Sequence, residues 1–159
     1  MKVLGIDPGF DRLGVAVVQR IDGRDTVTFS TCLASARGTP LPDRLCSLGE
    51  QLTAILEREQ PTHLAIETLF FNKNVKTALD VAQARGLILY LGRHHDCAVH
   101  EYSPQAVKLA LTGYGSSDKT AVITMTKRLV RGAPTEALDD EYDAIAVGVT
   151  CLAHEARGR

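Results

Sequence analysis

The chain opens with LGIDPGFDRLGVAVV over residues 4–18, and this stretch constrains the fold more than any other. Val3–Ile6 and Leu13–Val18 are β-branched, apolar runs joined by a short turn, and they read as buried strands paired antiparallel. The first of them finishes on a carboxylate, Asp7, and then bends at once through Pro8 and Gly9. An unpaired carboxylate beside a core costs several kcal/mol, roughly, unless a cation meets it. An Asp-Pro-Gly turn can also use its acid to cap the local backbone. Both readings stand on this stretch alone.

Further along, VTFSTCLA (26–33) alternates as a third strand and completes an antiparallel meander. Leu45, Leu48, Leu52, Ile55 and Leu56 recur at helical spacing within 41–59. THLAIE (62–67) is a short buried strand that again ends on an acid, Glu67. A second helix is expected over 75–93, with Ala78, Ala82 and Gly86 in a row that permits close helix approach. Cys97–Tyr102 reads as a fifth strand, and Ser103-Pro104 as an N-cap followed by proline at the first helical position. That helix runs to Gly113, another covers about 118–130, and the last is expected from near Thr135 to about Glu155. The order predicts an α/β fold, a mixed five-stranded sheet flanked by helices.

At 159 residues the chain is expected to form a single domain, 1–159. It shows neither a signal-peptide pattern nor an apolar span of membrane length, so a cytoplasmic protein with no membrane partner is expected. The four cysteines, Cys32, Cys46, Cys97 and Cys151, are scattered and suggest neither a zinc site nor a disulfide framework. Residues 72–131 hold nine Lys/Arg against four acids, and Glu136, Asp139, Asp140, Glu141 and Asp143 follow directly. A basic middle beside an acidic cluster suits a polyanionic substrate held against a cation site.

Asp140 and Asp143 are three apart in the last helix, a spacing that puts both carboxylates on nearly one face. If that face meets the ends of the first and fourth strands, Asp7, Glu67, Asp140 and Asp143 converge. Four such acids repel one another unless divalent cations occupy the site. Two ions about 3.5–4 Å apart can activate water and stabilise a leaving oxygen in phosphoryl transfer. The chain has no nucleophilic Ser or Cys motif, which agrees with water as the attacking group. Asp139 and Glu141 are expected to face elsewhere, as solvated acids of the first turn.

With these residues in view, the chain resembles the RuvC family of Holliday-junction resolvases, in the RNase H-like superfamily. GIDPG fits the family's first motif, IETLFFNKNVKTALDVAQARG (66–86) the second, YSPQAVKLALTGYGSSDK (102–119) the third and DDEYDAIAVGVT (139–150) the fourth. The resemblance implies an RNase H-like fold and a homodimer that nicks opposing strands of four-way junction DNA in recombination and repair. It also implies kinship with a system containing the branch-migration proteins RuvA and RuvB. Asp7, Glu67, Asp140 and Asp143 take the places of the family's metal-binding acids, which hold Mg2+ or Mn2+, two ions per site. Lys119 matches a family lysine near the scissile phosphate, where a cation stabilises developing charge.

The resemblance further implies DNA contacts. Lys108 matches a basic position that handles substrate, and Phe70 matches an aromatic that wedges against a base. Phe71, Asn72, Lys73, Asn74 and Lys76 lie on the same rim, and Tyr114, Ser116 and Ser117 on a loop that approaches DNA just before Lys119. Phe10 stands where many members carry a small residue, which leaves the packing of the first turn open. The small-residue row at Ala78, Ala82 and Gly86 suits either a dimer contact or packing on the sheet. His94 and His95 are expected to be solvated at a helix end, and His63, His100 and His154 have no spacing that makes a metal site.

Rival readings start from the same residues. The opening hairpin also looks like the first phosphate motif of the actin and sugar-kinase fold, which needs a second glycine-rich loop that this chain lacks. A YqgF-type nuclease opens similarly, but the QARG stretch and Phe70 argue against it. A non-catalytic junction-binding module would not need all four acids.

Overall fold

The computed structural model describes residues 1–68 and 75–157, the side chains of 75–77 and 157 aside. Five strands and five helices follow in the order β1 (Lys2–Asp7), β2 (Arg12–Ile21), β3 (Arg24–Ala34), α1 (Leu41–Glu59), β4 (His63–Glu67), α2 (Val75–His94), β5 (Ala98–Tyr102), α3 (Pro104–Thr112), α4 (Lys119–Leu129) and α5 (Asp139–Arg157). The sheet order is β3-β2-β1-β4-β5, with β1–β2 and β2–β3 antiparallel and β1–β4 and β4–β5 parallel. The expected mixed five-stranded sheet flanked by helices is present. Among the described residues no helix is long and apolar enough to cross a membrane.

The meander is longer than its apolar runs suggest. β2 continues to Ile21 and β3 begins at Arg24, joined by Asp22 and Gly23 alone. Both turn residues have positive φ, +52° and +75°. That two-residue turn matches the right-handed twist of a hairpin, and Asp-Gly is its strongest short signal.

Alternation along the strands sends side chains to two separate cores. Leu4, Ile6, Val15, Val17, Leu64 and Ile66 pack under α1 and α2 with Leu48, Leu52, Leu56 and Ile88. Val3, Ala16, Val18, Ala65 and Tyr102 face α5, α3 and α4 and pack with Ile145, Val149, Val107 and Val122. Helix α5 sits directly on the sheet because the strands carry no side chain beneath it. A Cβ on Gly5 would overlap Ala144 O, and one on Gly14 would overlap Asp140 O. The chain thus trades side-chain bulk for backbone proximity where α5 crosses β1 and β2.

Helix boundaries have local causes. Ser103 Oγ accepts from Ala106 N at 3.1 Å, and Pro104 follows, as the sequence predicts for α3. Asp118 Oδ1 accepts from Ala121 N at 2.7 Å and makes Lys119 the first residue of α4. The last helix starts at Asp139, four residues later than expected. The stretch before it is held in another conformation: Tyr142 Oη donates to Pro134 O at 2.9 Å, and Lys127 Nζ donates to Thr135 O at 2.7 Å.

Candidate active site

The parallel register of β1 and β4 pairs Ile6 with Ile66, so the next residues, Asp7 and Glu67, end their strands side by side. By alternation both acids share the face of Val3 and Ala65, the face that α5 covers. Asp140 and Asp143 lie in the first turns of α5, and Gly14, the register partner of Asp7, abuts the Asp140 backbone. The four acids singled out from the sequence therefore gather at one end of the α5 face.

Their electrostatics show the strain of that meeting. Burial pushes the Asp7 carboxyl up to about 8, helped by the charges of Asp143, Glu67 and Asp140 and opposed by Lys119. Burial also raises Glu67 to about 7, with Asp143 adding to the rise while Lys108 and Lys119 oppose it. Asp143 stands above its ordinary value, chiefly through burial, against the pull of Lys119. At neutral pH the cluster cannot hold all its charges without further positive charge.

Part of that charge is already present. Lys119 Nζ lies 3.0 Å from Asp143 Oδ2 and 3.3 Å from Asp139 Oδ2. Burial works to lower its ammonium pKa, but hydrogen bonding and charge from Asp143 and Asp139 outweigh this and raise it. Asp139 therefore does not face elsewhere. It sits four residues before Asp143, a full helical neighbour. Glu141 is not merely solvated either: its Oε2 accepts from Ser30 Oγ on β3 at 3.0 Å. On the other flank Arg12 Nη2 lies 3.2 Å from Asp140 Oδ2. That oxygen is buried and accepts no hydrogen bond, so Arg12 meets it as a charge and not as an aligned donor.

A buried, undonated carboxylate oxygen within a set of mutually raised acids is a ligand set short of a cation. All donors are carboxylate oxygens, which suits a hard divalent ion. Two clefts flank the acids. One, of about 230 Å³, is lined by Glu67, Lys108, Lys119, Asp143 and apolar residues of α3 and α4. The other, of about 310 Å³, is lined by Gly9, Phe10, Asp11, Arg12, Arg37, Val81 and Asp140. The cationic lining of this second cleft, Arg12 and Arg37, escaped the sequence reading, although Arg12 follows the first turn directly.

The turn after Asp7 is clamped. Arg44 of α1 donates from Nε to Ser35 Oγ at 2.9 Å and from Nη2 to Phe10 O at 3.3 Å, and pairs with Asp11. Its guanidinium also covers the Phe10 ring at 4.7 Å. Phe10 is thus accommodated by a cation stacked on its ring.

Other sequence candidates fall unevenly. Lys108 is half-buried and its charge acts on Glu67. Tyr114 and Ser116 are exposed on the loop before α4. Ser117 Oγ lies 2.8 Å from Tyr114 O and 2.7 Å from Thr112 Oγ1, so its hydroxyl closes the loop on itself. Phe70, Phe71, Asn72, Lys73 and Asn74 lie outside the described residues, as does the side chain of Lys76. Gly86 is exposed with no neighbour within 4 Å of a Cβ, so it makes no close approach within the chain. The histidine expectation needs correcting: ligand atoms of His63, His100 and Glu155 all lie within 4.8 Å of one another. Strand pairing and α5 bring together residues whose sequence spacing shows nothing. His154 is not part of that group and packs against Tyr102, ring centroids 5.2 Å apart.

Comparison with known proteins gives consistent matches. The family described as crossover junction endodeoxyribonuclease RuvC matches residues 3–151. A protein of that name from Chloroflexus aggregans is 42% identical over 156 residues, 98% of this chain and 94% of its own. One from Desulfitobacterium hafniense is 37% identical over 154 residues, 97% of this chain and 93% of its own. The Thermus thermophilus RuvC, solved in complex with Holliday junction substrate, superposes with a TM-score of 0.91 at 26% identity, over 99% of this chain and 96% of its own. The RNase H-like fold is common to both.

Proposed function

The chain belongs to the RuvC family of crossover junction endodeoxyribonucleases, and from that membership we propose that it resolves four-way DNA junctions by paired, symmetric, hydrolytic nicks. The observation that carries this reading is the meeting of Asp7, Glu67, Asp140 and Asp143 at one end of the α5 face, where burial and mutual charge raise Asp7 to about 8. These four acids hold the divalent metal, Mg2+ or Mn2+, two ions per site. When bound, such ions make water a stronger nucleophile near neutral pH and stabilise charge on phosphate oxygens.

The chain's own residues do the rest. Lys119, fixed at the start of α4 by the Asp118 cap, offers its ammonium to the negative charge that builds on the phosphate during attack. In the metal-free state it balances Asp143 and Asp139, and it is freed toward the substrate when cations take over that balance. Lys108 on one side, with Arg12 and Arg37 on the other, flank the acids with positive charge and position the DNA backbone. Tyr114, Ser116 and Ser117 form the approach loop, with Ser117 shaping it from within. Phe70, Phe71, Asn72, Lys73, Asn74 and Lys76 complete the DNA rim.

Symmetric nicking of a four-way junction needs two copies of the site, so the working unit is a homodimer of a single nuclease domain. It acts in the cytoplasm, on junctions processed by RuvA and RuvB. The test is a synthetic mobile four-way junction, end-labelled on each strand in turn, incubated with Mg2+ or Mn2+. Wild-type protein is expected to give paired nicks at opposed positions, and Asp7→Asn to bind the junction without cutting it. Near-normal nicking by Asp7→Asn would remove that residue from the site. An intact junction under both metals, with wild-type protein folded and bound, would overturn the resolvase reading.

A further inference from the structure

At the opposite end of the α5 face from the acids, β4 begins at His63, β5 carries His100, and the last turns of α5 carry Glu155. We propose that these three residues form a separate transition-metal site, of the His-His-carboxylate kind that takes Zn2+. Each offers a ligand atom, and the three atoms lie within 4.8 Å of one another. Ligands at about 2.0–2.2 Å from a tetrahedral zinc stand roughly 3.3–3.6 Å apart. Modest side-chain rotation closes the difference, and Glu155, its side chain 39% exposed, has room to turn.

Hydrogen bonding prepares the imidazoles. Thr62 Oγ1 lies 3.1 Å from Lys2 O, to which it donates its single proton, and 2.8 Å from His63 Nδ1. With that proton committed, Thr62 Oγ1 accepts from His63 Nδ1–H, and the ring lone pair falls on Nε2. This is the pattern in which an outer partner fixes the tautomer of a metal-ligating histidine. His100 is stacked between His63, at 5.3 Å, and Tyr102, at 6.5 Å, so its ring plane is set. Its Nδ1 lies 3.4 Å from Glu155 Oε1, and its Nε2 is buried with no hydrogen-bond partner. An orphaned buried ring nitrogen beside a carboxylate and a second imidazole is a donor set for a borderline-soft ion. The acid cluster offers oxygen alone, so the two ends of the face sort different ions. Three protein ligands leave a position for water, and a bound ion would tie β4, β5 and the end of α5 together.

The test uses the full chain stripped with a chelator. Zn2+ binding is measured calorimetrically, and Co2+ is followed by the visible absorption of a low-symmetry nitrogen-ligated complex. One ion per chain is expected, retained in Asp7→Asn/Asp143→Asn and lost in His63→Asn/His100→Asn. Thr62→Val, which removes only the orienting partner, is expected to weaken binding about 10- to 100-fold. Should the double histidine variant fail to fold, Glu155→Gln on the helix end serves instead and is expected to abolish the Co2+ absorption. Absence of Zn2+ binding, binding unchanged without the histidines or Glu155, or loss of binding in the acid variant would each overturn the proposal. None of these outcomes depends on junction cleavage.

Discussion

At the scale of single residues, Asp7 sets the chemistry and also a liability. Its folded-state pKa of about 8 lies far above the ordinary 3.8. Without metal, the folded chain keeps a proton that the unfolded chain has already released. Stability from this group is therefore full below about 4 and is lost as pH rises toward 8. Glu67, raised to about 7, adds to the same trend. Melting temperature in chelator is expected to fall across this window. Asp7→Asn should flatten the fall and melt above wild type at its alkaline end, by about 2–4 °C for each kcal/mol relieved. Mg2+ should restore the wild type and do little for the variant. A flat wild-type profile in chelator would mean that the acids are not in mutual strain. Lys119 works in the opposite sense. Lys119→Ala is expected to sharpen the pH dependence in chelator, because Asp143 loses its partner, and to lower the single-turnover cleavage rate by at least about tenfold.

At the scale of elements, the placement of α5 decides whether the acids meet. Gly14→Ala would drive a methyl group into the Asp140 backbone. Overpacking of this kind costs about 1–3 kcal/mol, and cleavage should fall more than stability because the helix that moves carries Asp140 and Asp143. Melting curves and cleavage rates on the same preparation separate the two losses. Asp118→Ala is milder: loss of the cap costs about 1 kcal/mol and loosens the residue that follows it, Lys119. The elements themselves were largely legible in the sequence. Apolar runs ending on acids announced β1 and β4, and Ser103-Pro104 announced α3. Local patterns missed what long-range packing decides. Thr135 is compatible with a helix, but Tyr142 and Lys127 hold its neighbourhood in another conformation. Asp139 was set aside by a spacing argument that favoured Asp140, although helical geometry brings both near Asp143, and Lys119 selects Asp139. The hairpin turn was legible and overlooked, since Asp22-Gly23 is written plainly between the strands.

At the scale of the whole molecule, the basic middle of the sequence does not form one surface. Lys108 and Lys119 border the acids, whereas Lys127, Arg128 and Arg131 gather with Arg20 and Arg24 beside the β2–β3 turn. Summing charge along the chain merged two patches that the fold separates. Junction binding should weaken steeply with salt. Six to ten phosphate contacts would cost about 10³–10⁵ in affinity between 50 and 200 mM, and each lysine removed from the acid-side patch should reduce the slope by about one. Slopes unchanged in Lys108→Ala and Lys119→Ala would take those residues off the DNA backbone. Folding legible from local pattern ends where such assembly begins: His63, His100 and Glu155 meet only once β4, β5 and α5 are all in place.

The same order of assembly governs the acids. Asp7 leaves the ribosome early and Glu67 midway, but Asp140 and Asp143 arrive on the last helix, whose seat is a strip of bare backbone on β1 and β2. A nascent or truncated chain that lacks α5 holds half a ligand set and an uncovered sheet. The hydrolytic function is thus gated by completion of synthesis, and a cell making this protein exposes its DNA only to the finished molecule.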